Sequence, residues 1–284
     1  VFSPYYAWAR RRGAADPLRH CALNVALYGR GSRRWAMTER GRETVWRDVR
    51  HLSIGPSALE WDGVTLTAQI DELNAPLPLR VRGVVRLHPL QVETRVMTLD
   101  AASRHRWSPI APRARIEVAL EHPALRWSGY AYCDTNAGDV PLEADFRGWT
   151  WCRAQTDIET IILYDVATHD GGRRSLALRY AAGEEPRSFD PPPERRLSRT
   201  RWGIARTVRG DTATAARVVS TLQDTPFYAR SLVATQLLGT PVMAVHESLN
   251  LERFRNPLVQ AILPFRMPRT LQRSAKPGHR FPET

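Results

Sequence analysis

The sequence is nearly without lysine. Of 284 residues, 41 are basic, yet Lys276 is the single lysine and the rest are arginine. No run of about 18 apolar residues occurs, so no transmembrane helix is expected. No secretory leader pattern is visible. The three cysteines, Cys21, Cys133 and Cys152, form no Cys-x-x-Cys. They make neither a disulfide framework nor a zinc site, and a reducing, cytoplasmic setting is expected. A Gly-x-Ser-x-Gly elbow, a Walker A loop and a Rossmann fingerprint are all missing. His246-Glu247 lacks the second histidine of His-Glu-x-x-His, so no metal is expected there.

What is present is an ordinary globular balance, 43% hydrophobic and 25% charged, with a net charge of +12. Such a surface suits nucleic acid or an anionic membrane leaflet. The arginines are scattered, with one dense early run at Arg10-Arg11-Arg12. No helix-turn-helix, zinc-finger or RNP pattern accompanies them, so nucleic acid is not an expected partner.

Long amphipathic helical patterns are scarce, and short apolar runs between Gly, Pro, Asn and Asp dominate, which predicts many β-strands. Residues 20–28 and 34–39 read as paired strands around a hairpin-like connection at 30–33. Residues 57–61 and 64–70 flank Asp62-Gly63, a strong two-residue turn signal, and 79–87 alternates with its arginines outward. Further strands are predicted over 114–120, 125–132, 148–153, 159–164 and 175–180. Consecutive antiparallel strands of this kind predict meanders closing into barrels. The punctuated stretch at 108–112 predicts a division into residues 1–112 and 113–270. The loop at Asp190-Pro191-Pro192-Pro193 is PPII-like, and a basic flexible tail is expected over 271–284. The opening Val1-Phe2-Ser3-Pro4-Tyr5-Tyr6 has no initiator Met and reads like the interior of a strand.

Two pairs of residues carry the chemistry. In a strand, i and i+2 share a face. His105 and Trp107 therefore share one face, and Tyr132 and Asp134 another. If these faces meet, a cavity holds an acid, an imidazole and two π-systems. That set suits protonation of an alkene. An apolar pocket keeps a carboxyl neutral, aromatic faces stabilise the resulting cation, and an imidazole orients the acid or the water. Asp134 fits equally the start of a turn over 134–138, where Asp usually bonds local backbone. Trp149 and Trp151, an i,i+2 aromatic pair, fit either core or pocket lining, and Tyr164-Asp165 fits a strand end with its turn.

At these residues the chain resembles the bacterial carotenoid 1,2-hydratases, also called hydroxyneurosporene synthases. The likeness runs from Phe2-Ser3-Pro4-Tyr5-Tyr6-Ala7-Trp8 through residues 20–29, Ile54-Gly55-Pro56-Ser57-Ala58-Leu59-Glu60-Trp61 and the blocks around His105 and Asp134. It continues through Thr221-Leu222-Gln223-Asp224-Thr225-Pro226-Phe227-Tyr228 and Ala244-Val245-His246-Glu247-Ser248 to Leu263-Pro264-Phe265-Arg266-Met267-Pro268-Arg269. The resemblance implies an all-β fold of two lipocalin-like antiparallel β-barrel domains. It implies addition of water to the terminal C1=C2 bond of acyclic carotenoids such as neurosporene and lycopene, with no cofactor. It implies Asp134 as the acid, with His105, Trp107 and Tyr132 as companions. Trp149, Trp151 and Tyr164 are the expected substrate-binding residues. Members usually begin with a further segment before Phe2, so the first barrel is expected to lack strands at its start. A lipid-borne substrate implies a peripheral protein at the cytoplasmic face of the inner or intracytoplasmic membrane. The alternatives are a non-catalytic lipocalin-like carotenoid or lipid carrier, and a related terpenoid or polyketide dehydratase or isomerase.

Overall fold

The computed structural model describes residues 2–29, 31–212 and 216–270. The expected tail at 271–284 lies outside the described residues. Strands dominate, and they pair antiparallel within each sheet described below. Two compact units share the chain discontinuously: residues 2–88, 116–129 and 261–270 form one, and 89–115 and 130–260 the other. The expected boundary at 112/113 falls within a single strand, His105–His122.

In the first unit, strands Val45–Arg47, His51–Ile54, Ser57–Trp61, Leu66–Leu73 and Arg80–Gln91 follow one another as a meander. The turn at Asp62-Gly63 forms because Asp62 Oδ1 accepts from the backbone N–H of Val64 and Thr65, each at 2.7 Å, and Gly63 takes φ +103°, which a side chain would disfavour. Val81 is buried while Arg80, Arg82 and Arg86 face out, as the alternation predicts. Ala36, Ile70 and Val81 centre a small core. The buried Glu72 carboxylate is held by Arg40 at 2.7 and 3.0 Å and by the Ser57 hydroxyl at 2.7 Å, as a buried charge requires.

Two expectations need correction in this unit. The opening is not a strand: Pro4–Arg11 is a helix. The Ser3 hydroxyl caps it by accepting from the Tyr6 N–H at 2.9 Å, and Pro4 occupies the first helical turn, where its missing N–H costs nothing. The hairpin around residue 30 exists but is shorter than read, Asn24–Leu27 against Arg34–Met37. A 3₁₀ turn at Pro17–Arg19 takes up the chain before it.

The second unit is built on a seven-stranded antiparallel sheet. Its order is Arg187–Ser188, Arg173–Ala181, Glu159–Thr168, Phe146–Gln155, Thr240–Asn250, Tyr228–Leu237, Arg217–Asp224. The order is open, since its first and last described strands are not partners. Alternation gives the sheet two characters. One face carries Cys152, Ala154, Ile161, Leu163, Ala177, Val233, Leu237 and Ala244, packed with Val208 into a dry core. Val208 belongs to a small ribbon, Glu194–Leu197 with Arg206–Arg209. The other face holds the residues considered next. Gly148 sits where Phe146–Gln155 meets Thr240–Asn250, and a Cβ there would stand 2.2 Å from the Leu249 carbonyl oxygen.

Candidate active site

The second sheet's register assembles a row of side chains. Trp151 lies directly opposite Tyr164 on one side and Glu247 on the other, and Glu247 lies opposite Arg230. Directly paired residues in antiparallel strands project to the same face, so four strands contribute Tyr164, Trp151, Glu247 and Arg230 in sequence. Trp149 and Arg153, two residues either side of Trp151, belong to the same face. With Tyr132 and Asp134 these residues line a cavity of about 330 Å³.

Asp134 lies in the strand Leu125–Gly138, not in a turn. One carboxylate oxygen, Oδ2, accepts two hydrogen bonds. The Trp107 indole N–H donates at 2.7 Å and the Tyr132 hydroxyl at 3.0 Å. Trp107 is held rigidly for this, being 1% exposed and edge-on to Tyr164 at 5.3 Å. Tyr132 packs against Trp151, ring centroids 5.3 Å apart, with the Arg153 guanidinium 5.4 Å over its own ring.

Burial pushes the Asp134 carboxyl above the usual aspartate range, and the negative charge of Glu247 adds to the effect. The Trp107 and Tyr132 hydrogen bonds pull the other way, because they favour the anion, and they do not prevail. Burial also raises the Tyr132 and Tyr164 hydroxyls, with the charge of Asp134 next in effect for both. Both phenols therefore stay protonated. Burial depresses Arg153. Arg153 donates to the Gln155 side chain at 2.6 Å, and Arg230 holds Glu247 Oε1 through Nε at 2.9 Å and a terminal nitrogen at 2.6 Å.

The structure brings six of the seven expected residues together: Asp134, Trp107 and Tyr132 through hydrogen bonds, and Trp149, Trp151 and Tyr164 around the cavity. Trp107 is buried and reaches Asp134 without itself lining the cavity. His105 is placed elsewhere. Its ring is buried against Phe146 at 4.5 Å, with Nε2 2.9 Å from Asp145 Oδ2, and Asp145 also pairs with Arg104. No bond joins His105 to Asp134 among the described residues. Its backbone N–H donates to Asp100 at 2.7 Å, so the histidine fixes the start of the strand that presents Trp107.

Sequence reasoning missed Arg153, Arg230 and Glu247. Glu247 had drawn notice only beside His246 as half a zinc site. Alternation separates that pair: His246 lies on the core side, fully buried, with Nε2 2.6 Å from the Thr207 carbonyl oxygen. Burial lowers its pKa to about 4. Among the described residues no cluster of three His, Cys, Asp or Glu side chains is placed to hold a metal ion.

Residues 1–276 match the family described as carotenoid hydratase CrtC. The chain is 57% identical over 270 residues to an acyclic carotenoid 1,2-hydratase of Thiocapsa roseopersicina, a match covering 95% of this chain and 67% of that protein. It is 48% identical over 272 residues to the enzyme of that name from Rubrivivax gelatinosus, with the same coverage. It is 41% identical over 282 residues to the one from Cereibacter sphaeroides, covering 99% of this chain and 97% of the relative. Among solved structures, one from Nitrosomonas europaea assigned as AttH superposes with a TM-score of 0.51 at 13% identity, over 73% of this chain and 72% of that one. That likeness speaks to fold alone, and it agrees with the all-β, lipocalin-like class expected.

Proposed function

Because the chain belongs to the carotenoid hydratase family, we propose that it is a hydro-lyase adding water across the terminal C1=C2 bond of acyclic carotenoids, with Asp134 as the acid. The observation that carries this reading is the state of Asp134. A carboxyl raised by burial, pinned through one oxygen by two donors and opening on an aromatic cavity is arranged to give up a proton, not to hold a charge.

Oδ2 is engaged by Trp107 and Tyr132, so the acidic proton resides on Oδ1. It passes to C2 of the terminal isoprene unit. The positive charge develops at C1, the more substituted carbon, and a tertiary cation forms. The faces of Trp149, Trp151 and Tyr164 stabilise it by about 2 kcal/mol or more in a desolvated site. Water bonds to C1 and loses a proton, giving the tertiary alcohol. A cavity of about 330 Å³ is at the small end of ligand sites, so it takes one end of a long polyene and leaves the rest outside.

Incubation with lycopene in heavy-oxygen water tests the reading. Labelled 1-hydroxylycopene is expected from the native chain. D134N is expected to bind lycopene and form none. Unlabelled product, or native turnover by D134N, refutes the assignment, and binding without product by the native chain marks a carrier.

The substrate dissolves in lipid, so the enzyme meets it at the cytoplasmic face of a membrane. No described helix is long and apolar enough to cross one. A candidate contact is the hairpin joining Val45–Arg47 to His51–Ile54 at the sheet's edge. There Trp46 is 57% and Val49 96% exposed, next in sequence to the exposed arginines Arg47 and Arg50. An indole beside arginines suits the interface of an anionic leaflet. W46S/V49S is expected to reduce co-sedimentation with anionic vesicles, and unaltered binding removes the hairpin from the role.

A further inference from the structure

Adding water across a double bond needs two proton transfers. An acid delivers one to carbon, and a base removes one from the water that has bonded to the cation. Asp134 accounts for the first. We infer that Glu247, held by Arg230 and set opposite Trp151 in the same cavity wall, is the base that takes the proton from the attacking water. The inference rests on the hydratase reading and assigns a second catalytic residue to it.

Three observations converge. Glu247 and Asp134 line one cavity, and the charge of Glu247 reaches both Asp134 and Tyr164. Two carboxyls in one site with different surroundings fit opposite halves of acid–base chemistry. Asp134 is met by two neutral donors, an indole and a phenol. Glu247 is instead met by a guanidinium, which donates two charge-assisted hydrogen bonds to it. Among the described residues, the two Arg230 bonds to Glu247 end on Oε1, and the inference gives Oε2 to the water.

The third observation is Trp151. It is the direct cross-strand partner of Glu247, and its buried indole N–H has no hydrogen-bond partner among the described residues. A buried donor left unsatisfied costs about 1–3 kcal/mol, and such groups mark places where something else binds. A water that accepts from the Trp151 N–H and donates to Glu247 Oε2 presents its remaining lone pair to C1. The balance closes. Asp134 loses a proton to C2, water forms the C1–O bond, and its proton goes to Glu247. Solvent then returns the proton from Glu247 to Asp134, and the net change is alkene plus water to alcohol.

The test separates the two carboxyls by running the reaction in heavy water. With the base removed, the cation still forms, but it collapses by returning a proton from C2 to Asp134. Each such cycle exchanges hydrogen for deuterium at C2 of recovered lycopene without net hydration. E247Q is expected to hydrate at least 100-fold more slowly, the scale of a lost general base, while bound lycopene still gains deuterium. D134N is expected to show neither hydration nor exchange. E247D, which keeps a carboxylate one methylene farther away, is expected to hydrate at least tenfold faster than E247Q. If E247Q does not fold, E247D alone must show exchange outrunning hydration. Hydration by E247Q within threefold of the native rate overturns the assignment. So does loss of exchange together with hydration, because Glu247 then serves the acid step or only the packing. Hydration or exchange retained by D134N would instead sink the acid reading.

Discussion

Trp107→Phe isolates one hydrogen bond from the packing around it. Phe keeps an aromatic ring in a site that is 1% exposed and edge-on to Tyr164, but it cannot donate to Asp134 Oδ2 at 2.7 Å. That bond favours the charged carboxylate and so holds the Asp134 pKa down against burial. Its removal must raise the pKa further. A hydrogen bond to a charged group is worth about 1.5–3 kcal/mol, and one pKa unit corresponds to about 1.4 kcal/mol. With the Tyr132 hydroxyl still in place, the lower end applies, a rise of about one unit. Two consequences follow, with opposite signs. The alkaline limb of kcat/KM, where activity is lost as Asp134 ionises, moves up by about one pH unit. The plateau below it falls, because an acid tenfold weaker transfers its proton about threefold more slowly at a mid-range Brønsted slope. Initial rates of 1-hydroxylycopene formation between about pH 5 and 9 read both. An unmoved limb with a lower plateau would reduce Trp107 to packing, and a limb moving down would refute the electrostatic argument outright.

The same carboxyl makes a stability prediction. A folded-state pKa raised above the unfolded value costs stability as pH climbs through the folded pKa. D134N should therefore melt at or above the native temperature at neutral pH, with the gap closing on acidification toward about pH 4. His246 acts in the opposite sense. Its pKa falls from 6.5 to about 4 in the fold, so its neutral form contributes stability above 6.5 that is lost as pH drops toward 4. The shift corresponds to about 3 kcal/mol, and H246Q should flatten the unfolding free energy over that range in urea titrations. Gly148→Ala forces a Cβ against the Leu249 carbonyl oxygen and should cost about 1–3 kcal/mol in the same assay, with Trp149 and Trp151 displaced and hydration reduced. Cys152 lies in the core with its thiol pushed up to about 12 by burial. It should resist alkylation in the folded chain and react only on unfolding, which mass mapping of labelled peptides would show.

Much of this was legible in the sequence because β-alternation is a local rule. The strands at 57–61, 159–164 and 175–180 were read within a few residues of their observed ends. The i,i+2 argument placed Tyr132 with Asp134 and Trp149 with Trp151 before any contact was known. What stayed hidden depends on pairing at a distance. Nothing local says that Trp151 faces Glu247 across 96 positions, or that Glu247 faces Arg230, since register is set by the whole sheet. His105 was misjudged for a related reason. Sharing a face with Trp107 is necessary for reaching Asp134 but not sufficient, and the partner that claims its ring, Asp145, lies in a short helix that periodicity does not flag. The opening helix was lost to composition: aromatic residues read as strand, while the Ser3-Pro4 cap, a better signal, was passed over.

Strand Phe146–Gln155 carries the cavity wall on its odd positions and the dry core on its even ones. Its partners at Glu159–Thr168 and Thr240–Asn250 are locked to it residue for residue from Gly148 onward. An insertion or deletion of one residue here would exchange Trp149, Trp151 and Arg153 for Thr150, Cys152 and Ala154. Chemistry and cohesion would fail in the same event. Such a wall is closed to change in length, and the family can explore new substrates through it only one side chain at a time.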